Sequence, residues 1–328
     1  MAAGRGRKVL KWSAIVIVVI VVGFFYGFVP WFLAGIATTS HFHFPDPNDG
    51  KTPKTYGLEF QAIEFRASDG IGLKGWYVPA AAPARGTIVY VHGHNRTRVE
   101  MLPEAAFGHG LGYNGLLFDL RHQGASEGKV TSVGYWERLD VEAAVKDALT
   151  RERAARPVIV WGISMGAAAG LLAAADSPDV DAVISDSAFL NFSELIRHHY
   201  YLFRGFARRR WWWFPTLPGF PIVDEVTYWS AWRAGFRPSD FDLEKAVDKI
   251  NPRPILFVAV EGDQRMPPSY ARTLDADATS PLKQLVVLPG TRHGEGFNSA
   301  TAQYQDAVKR FLANLESSAQ GARATGSP

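Results

Sequence analysis

Short runs of Val, Ile, Leu and Phe recur from residue 58 onward, and stretches of helical character separate most of them. "LEFQAIEFRA" and "IGLKGWYVP" flank Ser68-Asp69-Gly70, which reads as a hairpin turn. Then come "GTIVYVHG", a helix-like "RVEMLPEAAFGHG", "YNGLLFDLR", the helix "YWERLDVEAAVKDALTRER", "PVIVWG" and a helix from Ser164 to Ala175. "VDAVISDS", "PILFVAVEGD", the helix around "PPSYARTLDADA", "KQLVVLPG" and the last helix "SATAQYQDAVKRFLANLES" complete the pattern. Continuous apolar strands alternating with helices bury both faces of a mostly parallel sheet. In such sheets ligands collect at the carboxyl ends of the strands, so the loops after the strands are where function should lie.

Two segments break the rhythm. Residues 188–252 are too long for an ordinary connection and read as an inserted cap. Its "YYLFRGFARRRWWWFP" interleaves Arg204, Arg208, Arg209 and Arg210 with Tyr200, Tyr201, Phe203, Phe206, Trp211, Trp212, Trp213 and Phe214. Such a mixture suits a lipid headgroup region, with rings at the interface and Arg on phosphate. The simpler reading is a cap whose rings pack on the core while the arginines are solvated, and stacking of the rings under those arginines is a third. His198 and His199 are adjacent, point about 100° apart on a helix, and make a poor metal pair.

The other break is at the start. Arg5, Arg7, Lys8 and Lys11 form a basic tail, 1–11, ahead of an uncharged run centred on "AIVIVVIVVGFFYGFVPWFLAGIA". Those 24 residues would extend roughly 36 Å as a helix, enough to cross a bilayer, so 12–37 reads as a transmembrane anchor. "AGIA" before Thr38 also resembles a cleavage site, but the run exceeds the about 7 to 15 apolar residues of a signal peptide. No Lys or Arg follows until Lys51, which places the N-terminus in the cytoplasm and the bulk of the chain across the membrane.

Residues 38–56, rich in Pro, Asp, Gly and Thr, read as a tether. Its His41, His43, Asp46 and Asp49 are metal-ligand types, yet a solvated linker carries the same residues and no metal is assigned. Residues 317–328 lack apolar content and are expected to be a disordered tail. With no cysteine in the 328 residues, disulfides, zinc-thiolate sites and cysteine nucleophiles are excluded. A net charge of only +3, with scattered Lys and Arg, argues against nucleic acid as a partner.

The chemistry centres on "VIVWGISMGAAAGLL", where Gly162-Ile163-Ser164-Met165-Gly166 falls at the junction of a strand and a helix. With 31 glycines in the chain a Gly-x-Ser-x-Gly match is weak by itself, and a helix N-cap would also explain Ser164. At a strand-to-helix junction, however, the same five residues form a strained turn that lifts the hydroxyl above the sheet edge. A serine needs a histidine to take its proton and a carboxylate to hold that histidine. His293 follows the last strand; His92 and His94 follow the third, and His122 the fourth. Asp119, Asp186 and Asp263 all follow strands, and Asp263 gives the order Ser, Asp, His on separate strand ends.

The chain resembles the α/β-hydrolase superfamily. It is most similar to single-pass, membrane-anchored serine hydrolases grouped with serine aminopeptidase and dienelactone-hydrolase-like proteins. The resemblance spans Tyr56 to Leu315 and rests on "SDGIGLKGWYVP", "VYVHGHNRTR", "LLFDLRHQGASEG", "WGISMG", "EGDQRMPP" and "PGTRHGEGF", in family order. It implies an α/β-hydrolase fold over 57–316, with a mostly parallel eight-stranded sheet and a small cap. By the same resemblance Ser164 is the nucleophile, Asp263 the acid and His293 the base; Asp186 is the fallback acid, and Asp119 braces the "RHQG" turn. The backbone N–H groups of Met165 and His94 would bind the oxyanion. The implied substrate is a small-molecule or lipid-like acyl compound, esters first, cleaved without cofactor or metal. Amides, thioesters and acyl transfer use the same constellation, and a binding protein that kept the fold is the non-enzymatic alternative.

Overall fold

The computed structural model describes residues 2–40, 42–213 and 218–325. His41, Phe214 and 326–328, which figure in the sequence reading, lie outside the described residues. Eight strands form one sheet: β1 (Gln61–Arg66), β2 (Gly72–Val78), β3 (Thr87–Val91), β4 (Asn114–Phe118), β5 (Val158–Ile163), β6 (Ala182–Asp186), β7 (Ile255–Val260) and β8 (Gln284–Leu288). Their spatial order is β1-β2-β4-β3-β5-β6-β7-β8. The opening hairpin β1–β2 is antiparallel, β2 meets β4 antiparallel, and from β4 to β8 every neighbour is parallel.

β3, β4, β5, β6 and β7 are buried along their whole length, as expected of a sheet covered on both faces. One apolar layer joins the sheet to α4 (Glu137–Thr150) and α5 (Met165–Asp176). The other joins it to α3 (Leu102–Gly110), the short α10 (Gly296–Ser299) and α11 (Thr301–Thr325), where Phe297, Tyr304, Phe311 and Leu312 are buried. Strand order turns back at β3, which pairs with β4 on one side and β5 on the other. The crevice at such a switch point is the standing binding position of a parallel sheet.

Between β6 and β7 lie α6 (Phe192–Arg210), α7 (Ile222–Ala234) and α8 (Leu243–Lys249). Of the span 188–252 read as cap, α8 packs against α5 and α9 (Pro268–Asp277), among the helices that flank the sheet. The cap proper is therefore the α6–α7 pair. Trp212, Trp213, Phe206, Phe220, Tyr228 and Trp232 on it are exposed, while Arg204 lies 4.6 Å over the Tyr201 ring and Arg210 5.9 Å over Trp211.

The N-terminal segment is helical from end to end: α1 (Ala2–Gly23), a π turn at Phe24–Phe28, and α2 (Val29–Thr39). Its stretch Arg7–Thr39 is long and apolar enough to cross a membrane. The first part is exposed, but α2 buries Pro30, Ala34 and Thr38, a stripe at helical spacing, and packs on α7. Arg233 donates to the Trp31 carbonyl at 2.7 Å and stacks 4.6 Å over its ring.

The segment 38–56 is fastened to the domain rather than free of it. Thr131 N–H donates to the Thr38 carbonyl at 2.9 Å, Phe44 N–H to the Asn95 carbonyl at 2.9 Å, and Arg96 to the carbonyls of Phe44 and Pro45. Backbone acceptors do this work, and they have no signature in a Pro- and Asp-rich sequence. At the other end, α11 continues past residue 316 to Thr325, where a disordered tail was expected. The Ser, Ala, Gln and Arg of that stretch are permissive in helices and extend one already nucleated by the buried turns before it.

Candidate active site

Ser164 sits at the end of β5 with φ 55° and ψ −114°, and its neighbour Met165 opens α5. Such a backbone is sparsely populated for a residue with a side chain and persists only where surroundings impose it. The two glycines show what imposes it. A Cβ on Gly162 would lie 2.3 Å from the Gly166 carbonyl oxygen, and one on Gly166 would lie 2.2 Å from the Val91 carbonyl oxygen. The helix thus leaves the strand tightly enough to press against the end of β3. Ser164 N–H is held by the Asp186 carbonyl at 2.8 Å, and its side chain is buried.

His293, after β8, is hydrogen-bonded through Nδ1 to Asp263 Oδ2, after β7, at 2.7 Å. The other carboxylate oxygen accepts the N–H groups of Arg265 at 2.8 Å and Met266 at 3.0 Å. Burial works to raise the Asp263 carboxyl, but the hydrogen bond and charge of His293, with those two amides, outweigh it and hold the group below the usual carboxylate range. Nε2 of His293 is buried and takes no hydrogen bond among the described residues. Its loop meets the serine turn directly: a Cβ on Gly294 would lie 3.3 Å from Ile163 Cγ2.

Asp186 is engaged elsewhere. Ser187 Oγ donates to one of its oxygens at 2.7 Å and Tyr304 Oη to the other at 2.9 Å, with Trp161 Nε1 donating to Tyr304 Oη at 3.1 Å. Asp119 accepts the N–H groups of Arg98 and Ala125, so it braces the loops after β3 and β4.

The loop after β3 is clamped on three sides. His92, fully buried, is hydrogen-bonded through Nδ1 to the Gly93 carbonyl and accepts Leu120 N–H at Nε2. Gly93 N–H donates to Glu100 Oε2 at 2.6 Å, and burial pushes the Glu100 carboxyl up to about 7. Burial lowers the His94 ring to about 4. From the cap, His198 Nε2 is hydrogen-bonded to the Gln264 carbonyl at 2.7 Å, tying α6 to the loop that carries Asp263.

Sequence reasoning did not foresee Glu100 or Tyr304 in these positions. Glu100 and Tyr304 lie on helical stretches whose apolar periodicity was legible, but their polar tips turn inward, Glu100 to an amide seven residues back and Tyr304 to partners far along the chain. His43 of the tether pairs with Asp49 at 2.9 Å. A cavity of about 330 Å³ lies between the tether and the loops after β3 and β4, bordered by Ser40, His43, Asp49, Asn95, Arg96 and His122.

A model of the alpha/beta hydrolase family matches residues 88–308, two thirds of the chain. The chain belongs to the alpha/beta hydrolase family. This hydrolase is 27% identical over 265 residues to the uncharacterized protein YqkD of Bacillus subtilis, covering 80% of this chain and 82% of that one. It is 28% identical over 255 residues to the uncharacterized protein Rv2307c of Mycobacterium tuberculosis, covering 76% and 78%. Among solved structures it is similar to an esterase of Pyrococcus furiosus, with a TM-score of 0.66 and 22% identity, covering 83% of this chain and 97% of the esterase. That last likeness speaks to the fold, which is the one described above.

Proposed function

We propose that this hydrolase cleaves carboxylic esters by nucleophilic catalysis, with Ser164, His293 and Asp263 as its triad. The observation that carries the reading is the His293 ring itself: Nδ1 is fixed to Asp263, and Nε2 is buried and unpaired in a loop that touches the serine turn. Asp263 holds the imidazole in the tautomer that leaves Nε2 as the base and stabilises the imidazolium once it forms. Ser164 Oγ gives its proton to Nε2 and attacks the acyl carbonyl. His293 then protonates the leaving alkoxide, and a water activated by the same nitrogen hydrolyses the acyl enzyme.

The tetrahedral oxyanion would be bound by two backbone amides. Met165 N–H is the first of α5 and has no acceptor within the helix. In the facing loop Gly93 N–H is already taken by Glu100, which leaves His94 N–H as the second donor. Each such donor is worth about 3 to 4 kcal/mol of transition-state stabilisation. β3 and β5 are hydrogen-bonded neighbours, so both donors arise from adjacent strand ends.

The N-terminal helix serves in this reading as a membrane anchor, its basic end in the cytoplasm and the catalytic domain on the far side. Turnover of p-nitrophenyl esters by purified full-length protein tests the catalytic claim: activity is expected in the wild type and lost to background in Ser164→Ala and His293→Ala. A wild type without turnover on acetate through laurate contradicts it. A reporter fused after residue 50 tests the orientation, and cytoplasmic reporter activity contradicts it.

A further inference from the structure

The apolar surface of this protein is unevenly distributed. Among the described residues, every exposed large hydrophobic side chain belongs to the N-terminal helix, the start of the tether or the cap; none belongs to the sheet or the helices that flank it. On the cap the exposure is extreme: Trp212 91%, Phe220 78%, Trp213 65%, Trp232 61%, Tyr228 57% and Phe206 54%. Large apolar patches on one face mark a binding surface rather than the ordinary scatter of exposed residues.

The packing of α2 on α7 fixes which way this surface looks. Arg233, in the last turn of α7, reaches Trp31 and lies where a Cβ on Gly35 would be. The π turn Phe24–Phe28, which precedes α2, also touches α7. Trp136 Nε1 donates to the Ala234 carbonyl at 2.8 Å, and Thr131 N–H, in the same loop, to the Thr38 carbonyl, so the last turns of α7 and α2 lie together. α7 therefore runs parallel to α2, and its first turn lies toward the end of the anchor that enters the bilayer. The connection from α6 to α7, with Trp212, Trp213 and Phe220, is the tip of the cap on that side. Arg208, Arg209 and Arg210 are exposed in the turn just before it, as phosphate-level cations would be. Trp31, Phe32 and Ile36 on the anchor are likewise exposed beside α7, which makes anchor and cap one continuous apolar face.

The cap is also attached to the catalytic loops. His198 of α6 is bound to the Gln264 carbonyl, next to Asp263, and Phe44, just past α2, donates its N–H to the Asn95 carbonyl, next to His94. What lies in the interface and what lines the site are held together by directional contacts.

We propose that the α6–α7 tip is a second membrane-docking element, its tryptophans and Phe220 in the headgroup region of the leaflet from which the anchor emerges and its arginines on lipid phosphate. The catalytic entrance then opens onto the bilayer surface, and its substrates are amphiphilic esters taken from that surface; this last step rests on the ester-hydrolase reading above.

The absence of cysteine makes the test clean, because a single introduced cysteine is the only labelling site. Trp212→Cys, Phe220→Cys and, as control, Ala154→Cys at the amino end of β5 are each labelled with an environment-sensitive fluorophore. Each full-length protein is reconstituted in vesicles of phosphatidylcholine and phosphatidylglycerol. Added doxyl-labelled phosphatidylcholine is expected to quench the labels at 212 and 220 by about twofold or more and to leave the label at 154 unchanged, as interfacial residues differ from solvated ones. Quenching at none of the three overturns the proposal, whether the tip is covered by a second copy or by water. Fluorophosphonate labelling of the same samples separates the two readings. A labelled serine without quenching sinks the docking element alone; quenching without a labelled serine sinks the hydrolytic reading alone.

Discussion

His293 Nδ1 and Asp263 Oδ2 stand 2.7 Å apart, while the second oxygen of the same carboxylate is occupied by the amides of Arg265 and Met266. The carboxylate is thus oriented before any substrate arrives, and the ring it holds keeps Nε2 for other use. Asp263→Asn is expected to lower kcat on p-nitrophenyl acetate by roughly 10³- to 10⁴-fold with the fold intact, the scale seen when a triad loses its orienting carboxylate.

Asp186→Asn makes the opposite prediction. Its carboxylate is committed to Ser187 and Tyr304 in a fully buried network. The substitution is expected to cost about 1 to 3 kcal/mol of stability, read as a fall in the unfolding midpoint, with kcat reduced far less than in Asp263→Asn. A larger kcat loss at Asp186 than at Asp263 would transfer the acid's role.

Gly166→Ala places a Cβ 2.2 Å from a backbone oxygen of β3 that no side-chain motion can relieve. A loss of about 3 kcal/mol or more is expected, as for other overpacked backbone contacts. Thermal unfolding in detergent measures it, and a midpoint within a degree of wild type would contradict the close approach of α5 and β3.

The His94 ring gives stability a defined pH dependence. Its protonation falls from 6.5 to about 4 in the folded protein, because burial disfavours the charged ring. Between those values the unfolded chain binds more protons than the folded one, so stability rises with pH across the window and is lost as pH falls toward 4. His94→Gln is expected to remove up to about 3 kcal/mol of that dependence. His199, also lowered to about 4 by burial, keeps its own contribution in the variant. Denaturant midpoints at pH 4.5 and 7 for both proteins give the comparison; identical slopes would contradict it.

Arg233→Ala removes a hydrogen bond to the Trp31 carbonyl and a ring contact, together worth about 1 to 2 kcal/mol. Amide exchange in Val29–Thr39 should quicken while the strands stay protected. Unchanged exchange there would mean that α2 is held by the Pro30, Ala34 and Thr38 stripe alone.

The central strands were legible in the sequence because buried parallel strands are written as unbroken apolar runs, "GTIVYV" and "ILFVAV" among them, and the antiparallel hairpin by the Ser68-Asp69-Gly70 turn between its strands. The residues of the proposed site were legible because each follows such a run. What the sequence concealed are side-chain contacts that carry no local pattern. Gly93 N–H reaches Glu100 across a turn, and Tyr304 of α11 reaches Asp186 at the end of β6. The extent of α11 was hidden for a related reason, since residues without apolar side chains can prolong a helix that earlier turns have paid to nucleate.

The central claim is that Ser164 is a nucleophile activated by His293, and a covalent probe reads it most directly. Full-length protein treated with a fluorophosphonate and analysed by intact mass and peptide mapping is expected to carry one adduct, on Ser164. None is expected in Ser164→Ala, and labelling should be slowed strongly in His293→Ala. A folded wild type that takes up no probe, or takes it up equally in Ser164→Ala, would contradict the account.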